Sequence, residues 1–174
     1  MKPVLRPLSE VASQELLWVQ PDVWRFDYEL RADETVVAYL RGNLGESASY
    51  QWSFELKQFW RRRVIVRTEG GEVNLAVFKW RWLEGGTMEL PKGRLLRFRP
   101  AKNAFWRWEW QESDGTPLVR FTIRPGFDMT EGLVRVEQQA AALAELPLLV
   151  ILAEYMFSLF SMYRRVPAEG IGGG

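Results

Sequence analysis

The side chains in this chain that could do chemistry are mostly arginines, and the densest group follows one segment. Three consecutive arginines occupy positions 61 to 63, with Lys57 before them and Arg67 after them. Guanidinium groups stay charged and bind phosphate oxygens through paired hydrogen bonds. In a strand, alternation places Arg61 and Arg63 on one face and turns Arg62 to the other. We therefore predict an anion-binding surface, for which the candidate residues are Lys57, Arg61, Arg63, Arg67, Arg94, Arg97 and Arg99. The alternative is a solvated strand face with one arginine turned toward a buried acid.

The distribution of charge supports a basic surface. The formal net charge is only +1, but residues 57–124 contain 15 basic and 7 acidic side chains. The segments on either side are acidic, with 9 acidic residues against 5 basic ones in residues 1–56. A basic segment of this kind is typical of a protein with one positive face for a phosphate-bearing partner. The alternative is that neighbouring strands mix these charges and no continuous face forms.

The composition removes many kinds of active site. The chain has no cysteine and no histidine. It therefore has no disulfide, no thiolate nucleophile, no imidazole base and no zinc–thiolate site. The acidic pairs Asp33–Glu34, Glu112–Asp114 and Asp128–Glu131 fall in predicted turns, where carboxylates are usually only solvated. We predict a protein that is not an enzyme and that uses no cofactor or metal ion.

The elements that must position these side chains are mostly strands. Polar and apolar residues alternate in Trp24–Leu30, in Tyr50–Leu56 and in Phe105–Trp110. Glycine, proline and asparagine turns separate such runs roughly every ten residues, as in antiparallel barrels and sandwiches. We predict about ten strands between Val23 and Glu137. The alternation places Trp106, Trp108 and Trp110 on one face, which we expect to pack inward; the alternative is a platform for stacking bases or sugars.

The C-terminal part of the chain has a different pattern. Residues 138–164 lack glycine and are rich in alanine, leucine and methionine, which predicts a helix. Glu154 is the only charge between Leu146 and Tyr163. A helix that is apolar all round lies in a protein core or spans a membrane. We favour the core, because a barrel of about ten or more strands needs something to fill it. A buried Glu154 must be protonated or paired, and we expect Arg62 or strand backbone donors as its partner.

A meander of aromatic-rich strands followed by one apolar helix resembles the tubby C-terminal-like superfamily, which includes the LURP-one-related proteins and phospholipid scramblases. Glu154–Tyr155–Met156 is similar to the terminal helix of scramblases, and Phe59–Val64 with Gly70–Gly71 is similar to a strand and turn of this group. The resemblance implies a barrel of about twelve strands around its C-terminal helix. Calcium-dependent scrambling is not implied, because Asp128 and Glu131 alone match the acidic calcium segment.

These observations predict an all-β fold: a barrel of about 10–12 mostly antiparallel strands that encloses a hydrophobic C-terminal α-helix. Residues 1–20 form an N-terminal segment in which Ser9–Val19 can be a short helix with Ser9 as its N-cap. Residues 21–165 form the barrel, which includes the central helix at 138–164. Residues 166–174 form a flexible tail.

For function, we predict a non-catalytic module whose basic outer surface binds anionic phospholipid, including phosphoinositides, or a protein partner. One alternative is a tail-anchored membrane protein with a soluble β domain. A second alternative is a nucleic-acid-binding barrel, which we rank below the membrane surface. We predict no small-molecule substrate, because the helix fills the lumen. Residues 1–10 lack the apolar core of a secretory signal, so we expect a cytoplasmic location, peripheral to a membrane.

Overall fold

A computed structural model of the chain describes residues 4–22, 24–57, 62–81, 84–123 and 131–165. These residues form twelve β-strands, two α-helices and two single-turn 3-10 helices at Pro91–Gly93 and Gln138–Ala140. The α-helices are α1 (Leu8–Val11) and α2 (Leu146–Arg165), and the strands are β1 (Leu16–Val19), β2 (Asp27–Ala32), β3 (Thr35–Arg41), β4 (Leu44–Ser47), β5 (Gln51–Lys57), β6 (Arg63–Thr68), β7 (Asn74–Arg81), β8 (Gly85–Glu89), β9 (Leu95–Ala101), β10 (Ala104–Gln111), β11 (Pro117–Ile123) and β12 (Glu131–Val136).

The strands form one closed antiparallel barrel. Each strand pairs with its neighbours in sequence, and β1 pairs with both β2 and β12. Leu16 faces Ala32 on one side and Val134 on the other, which closes the sheet. Closure leaves no exposed strand edge for another chain to pair with. The prediction of an all-β barrel of 10–12 antiparallel strands is confirmed.

The N-terminal segment differs from the prediction. The helix covers only Leu8–Val11, so Ser9 lies inside it, and Pro7 stands at the N-cap position. The second half of the predicted helix is β1, in which Leu16 and Trp18 are buried and alternate with two half-buried residues. A four-residue strand gives too short a pattern to be recognised from sequence. The barrel consequently begins at residue 16 and not at residue 21.

Alternation along the strands places the core. In β2 the burial alternates at every residue from Asp27 to Ala32, so that Tyr28 and Leu30 point inward. The pattern does not extend to Trp24, which is 90% exposed because it lies in the turn before β2 begins. Large inward side chains follow around the wall, and those that are almost completely buried include Trp18, Phe54, Phe78, Phe98 and Trp110.

Helix α2 fills the barrel. It begins at Leu146 and not at residue 138, and Pro147 occupies its first turn, where a missing backbone N–H costs no hydrogen bond. Its side chains contact several parts of the wall: Tyr155 stacks on Phe54 of β5 at 5.1 Å between ring centroids, and Phe160 meets Trp80 of β7 at 4.7 Å.

A hydrogen bond also ties α2 to the wall. The indole N–H of Trp110 on β10 donates to the Leu149 carbonyl at 2.8 Å. Every residue from Leu148 to Leu159 is buried. Of the two environments predicted for this apolar helix, the structure therefore has the barrel interior. No helix in the described ranges has the length and apolarity needed to span a membrane. The predicted tail, residues 166–174, lies outside these ranges.

Candidate anion-binding groove

Four neighbouring strands, β6 to β9, bring basic side chains into one row on the outside of the barrel. Arg63 faces Lys79, Lys79 faces Thr87, and Thr87 faces Arg97. Residues that are paired across strands point to the same side of the sheet, so these four side chains share the outer face. At a strand spacing of about 4.8 Å, Arg63 and Arg97 are about 14 Å apart. Arg81 and Arg99 extend the same face, two residues further along β7 and β9.

The strand between the two basic walls carries very small residues. Gly85, Gly86 and Thr87 of β8 form the floor of a groove of about 1190 Å³ that is lined by the basic residues of β6, β7 and β9. Gly85 has a φ of +88°, and a Cβ there would overlap the carbonyl oxygen of Phe98. Only glycine satisfies both conditions at this position. The groove therefore exists because β8 has little side chain to fill it. We call this surface, with its floor and its five cations Arg63, Lys79, Arg81, Arg97 and Arg99, the basic groove.

The cations of the basic groove have few acidic neighbours. Among the described residues, Arg63, Arg97 and Arg99 form no ion pair. Lys79 lies 3.6 Å from Glu89 and Arg81 lies 4.0 Å from Glu84, and all four side chains are more than half exposed. Exposed pairs at such distances contribute at most about 1 kcal/mol. The groove thus keeps a positive charge that an anionic ligand can use.

Three of the four remaining predicted cations are bound to acidic side chains of the protein itself. Lys57 contacts Glu55, and Arg67 reaches the same carboxylate at 2.7 Å and Asn74 Oδ1 at 3.0 Å. These two contacts lower the pKa of Glu55. Arg94 lies at the far end of the barrel and contacts both Glu112 and Glu145. Arg61 lies outside the described residues.

Arg94 connects the wall of the barrel to the segment that leads into α2. It lies just before β9, Glu112 lies just after β10, and Glu145 directly precedes α2. Its hydrogen bond with Glu112, together with the nearby charge of Glu145, raises the pKa of the guanidinium. The bidentate geometry of arginine is suited to bridging two carboxylates. We assign Arg94 a structural role, as the clamp that holds the start of α2.

Several groove residues were not among the predicted candidates. Lys79 and Arg81 lie two residues apart in β7, so the alternation alone places them on one face. The sequence around the floor residues Gly85 and Thr87 indicates only a turn and does not predict a groove. Their role depends on the register between β7, β8 and β9, which the sequence does not state.

Glu154 lies inside the barrel, as predicted. Only 5% of this residue is exposed, and burial raises the pKa of its carboxyl group to about 8. Neither predicted partner is found: among the described residues, no backbone donor or arginine bonds to the carboxyl group, and burial alone shifts its pKa. The Arg62 guanidinium instead lies 5.6 Å from the centre of the Trp80 ring, a cation–π distance. Gly132 on β12 lies beside the carboxyl group: a Cβ there would be 3.8 Å from Glu154 Oε2, an ordinary contact distance. Glu154 is therefore mostly protonated at neutral pH.

The described turns at the two ends of the barrel differ in charge. The described turns at the end where α2 begins contain the basic residues Lys92 and Arg94 and the acidic residues Asp33, Glu34, Glu69, Glu72, Glu112, Asp114, Glu137 and Glu145. We call it the acidic end. At the other end, the described turns contain the acids Asp22 and Glu84 and the cations Arg25, Arg62 and Lys102, and the strand residues next to these turns add Asp27, Glu131, Arg41, Lys57, Arg63 and Arg81. We call it the basic end, and the basic groove opens on its side.

No protein-family model, curated protein or solved structure matches the chain. The resemblance to the tubby C-terminal-like superfamily therefore stays a prediction. Within the described ranges, no three acidic side chains are grouped so that they could hold a metal ion.

Proposed function

We propose that this protein binds the headgroups of anionic phospholipids in the basic groove. The observation that supports this proposal is the arrangement of Arg63, Arg97 and Arg99 around a floor of glycine and threonine, with no acidic partner among the described residues. A phosphate that enters the groove meets guanidinium groups from two walls. It displaces no internal ion pair of these three arginines.

The number of cations sets the expected affinity. A basic residue near an anionic membrane contributes about 1 kcal/mol. The five groove cations therefore supply on the order of 5 kcal/mol, which corresponds to a dissociation constant of a few tenths of a millimolar. This value is typical of reversible, peripheral association that depends on the density of charged lipid.

A nucleic-acid interface is less well supported. That hypothesis needs a row of exposed aromatic side chains on which bases can stack. Trp80 is 5% exposed, Trp108 is 7% exposed and Trp110 is fully buried against α2, so these three indoles belong to the core of the barrel. Of the predicted platform on β10, only Trp106 is exposed, and a single indole does not form a row. We therefore favour a ligand that is recognised through its phosphates, without base stacking.

Co-sedimentation with lipid vesicles tests the proposal. The chain should bind vesicles of mixed phosphatidylserine and phosphatidylcholine and should not bind pure phosphatidylcholine. Binding should fall when salt is raised from about 0.1 M to about 1 M, because the Debye length shortens from about 10 Å to about 3 Å. Equal binding to both kinds of vesicle would contradict the proposal.

A matched pair of variants locates the site. The combined variant Arg63→Gln, Arg97→Gln, Arg99→Gln should bind anionic vesicles on the order of 100-fold more weakly, at about 1 kcal/mol per residue. The control variant Arg6→Gln, Lys92→Gln, Arg135→Gln removes the same charge away from the groove. It should bind nearly as well as the unchanged chain. If both variants lose affinity equally, net charge and not the groove explains the binding.

Two further ligands separate a membrane from other sources of phosphate. Calorimetric titration with inorganic phosphate and with a single-stranded oligonucleotide should show much weaker binding than vesicles do. Tight binding of phosphate without vesicle binding would assign the groove to a soluble phosphate compound. Tight oligonucleotide binding without vesicle binding would assign it to nucleic acid. Either result would overturn the proposal.

A further inference from the structure

The hairpin of β9 and β10 has an unusual tip at the basic end. The strands are joined at Lys102 and Asn103, and Asn103 has a φ of +60°, which asparagine tolerates in tight turns. Ala104 faces Ala101, but the next pair is Trp108 with Pro100. Three residues of β10, 105–107, therefore lack partners in β9. Bulges of this kind redirect side chains and are frequent near functional sites.

Trp106 lies within this irregular segment and is exposed. Simple alternation puts Trp106 on the same face as Trp108 and Trp110, and we expected all three to pack inward. Trp108 and Trp110 do so, but Trp106 is 47% exposed. The expectation was wrong for Trp106 because the irregular register breaks the period of two. A large indole is consequently presented to the solvent on the strand next to β9, which forms one wall of the basic groove.

The charged residues that precede and adjoin Trp106 in the sequence are all basic. Residues 97–108, RFRPAKNAFWRW, contain four cations and no acid. Lys102 and Arg107 are exposed on the same hairpin, and Arg99 lines the groove on the adjacent strand. Tryptophan is favoured where a membrane meets water, because its ring is apolar and its N–H is polar. Cations favour the anionic headgroups at the same depth.

From this arrangement we infer that the tip of the β9–β10 hairpin meets the interfacial layer of an anionic bilayer, with Trp106 as the inserting side chain. The inference rests on the proposed function, because the same bilayer supplies the headgroups that occupy the basic groove. A bilayer presents anionic phosphates and an apolar layer next to each other, and the cations and the exposed indole of this hairpin match these two features. Insertion adds a contribution to binding that salt does not screen.

The absence of cysteine gives a clean test. A single cysteine can be introduced by Trp106→Cys or by Tyr50→Cys and labelled with the environment-sensitive fluorophore NBD without background. Tyr50 is a matched control, since it is 51% exposed and lies in a turn at the acidic end. With anionic vesicles, NBD at position 106 should shift to shorter wavelength and be quenched by a spin label on the lipid chains. NBD at position 50 should show neither change.

A second pair of variants keeps the test independent of the label. Trp106→Ser should bind anionic vesicles about tenfold more weakly and should lose the binding that persists in high salt. Tyr50→Ser should behave as the unchanged chain does. If the unlabelled chain binds vesicles while NBD at positions 106 and 50 behaves alike, the insertion is refuted and the proposed function stands. If the unlabelled chain does not bind anionic vesicles, both are refuted.

Discussion

Arg94 and Arg99 lie close together in sequence, at opposite ends of β9, and their surroundings are opposite in kind. Arg94 contacts two carboxylates, those of Glu112 and Glu145, and so connects the wall of the barrel to the start of α2. Arg99 is exposed, lines the basic groove and forms no ion pair with a described residue. The same residue type therefore supports the fold at one end of the strand and is available to a ligand at the other.

Strand β6 repeats this difference. Arg67 bonds to Glu55 and Asn74, whereas Arg63, four residues earlier and nearer the basic end, has no such partners among the described residues. An antiparallel chain visits both ends of the barrel in every hairpin. The excess of basic residues in positions 57–124 therefore does not form one continuous face. It is divided along the barrel axis, and only the part near the basic end meets in a groove.

The largest expected effect comes from Glu154 in the interior between the two ends, and it is a change of stability with pH. Burial raises the pKa of Glu154 from 4.5 to about 8. Between these values the folded chain keeps a proton that the unfolded chain has lost, so the free energy of unfolding falls as pH rises. Below about pH 4.5, Glu154 is protonated in both states and the free energy of unfolding does not change through it. Above about pH 8, its ionisation has lowered the free energy of unfolding by several kcal/mol.

Glu154→Gln should remove this loss, because the amide stays neutral. We expect the variant and the unchanged chain to be similarly stable near pH 4.5, and the variant to be more stable above pH 8, in urea unfolding followed by tryptophan fluorescence. Glu55 and Asp114 titrate below this window, since their pKa values are lowered. Parallel stability profiles for the two chains would show that water reaches the carboxyl group.

The second prediction compares glycines at the two ends. Gly85→Ala should destabilise the chain by about 2–5 kcal/mol, because φ is positive and the new Cβ overlaps the backbone of Phe98. Gly70 is the control: its φ is +74°, but a Cβ there meets nothing within 4 Å. Gly70→Ala should cost only about 1–2 kcal/mol for the backbone conformation. Equal losses in thermal unfolding would mean that the close packing of the groove floor is not required.

Much of the fold could be predicted from the sequence because each strong pattern has one physical origin. Alternation predicts strands and their faces, and an apolar helix that follows many strands predicts a filled barrel. The burial of Glu154 follows from the same two inferences. Strand β1 was missed because its pattern spans only four residues, and Trp106 was misplaced because a bulge is invisible to a period of two.

The site could be predicted only in part. Strand alternation indicates which side chains point outward, but it does not indicate which of them are neighbours. Arg63 and Arg97 meet across β7 and β8 through the register of three strand pairs. Arg94 was also predicted to bind anions, yet its position just before β9 places it at the acidic end among carboxylates. Which residues line the groove therefore depends on the pairing register of the strands, and this register depends on the whole sheet.

The third prediction tests the two ends of β9 directly. Arg94→Gln should lower the free energy of unfolding by about 1–2 kcal/mol, because it leaves two partly buried carboxylates without their shared partner. Arg99→Gln, the matched control near the other end of β9, should stay within about 0.5 kcal/mol of the unchanged chain. Urea unfolding measures both. A stable Arg94→Gln would show that the clamp does not hold α2.

The smallest expected effects belong to β6, where stability and binding should separate. Arg67→Gln should cost about 0.5 kcal/mol, since its pair with Glu55 is partly exposed, and should leave vesicle binding unchanged. Arg63→Gln should leave stability unchanged and weaken binding to anionic vesicles about fivefold, as the loss of about 1 kcal/mol implies. Urea unfolding measures the stability of both variants, and co-sedimentation with anionic vesicles measures their binding. If Arg67→Gln weakens binding as much as Arg63→Gln does, anions contact the whole outer face of β6 and the boundary of the groove is wrong.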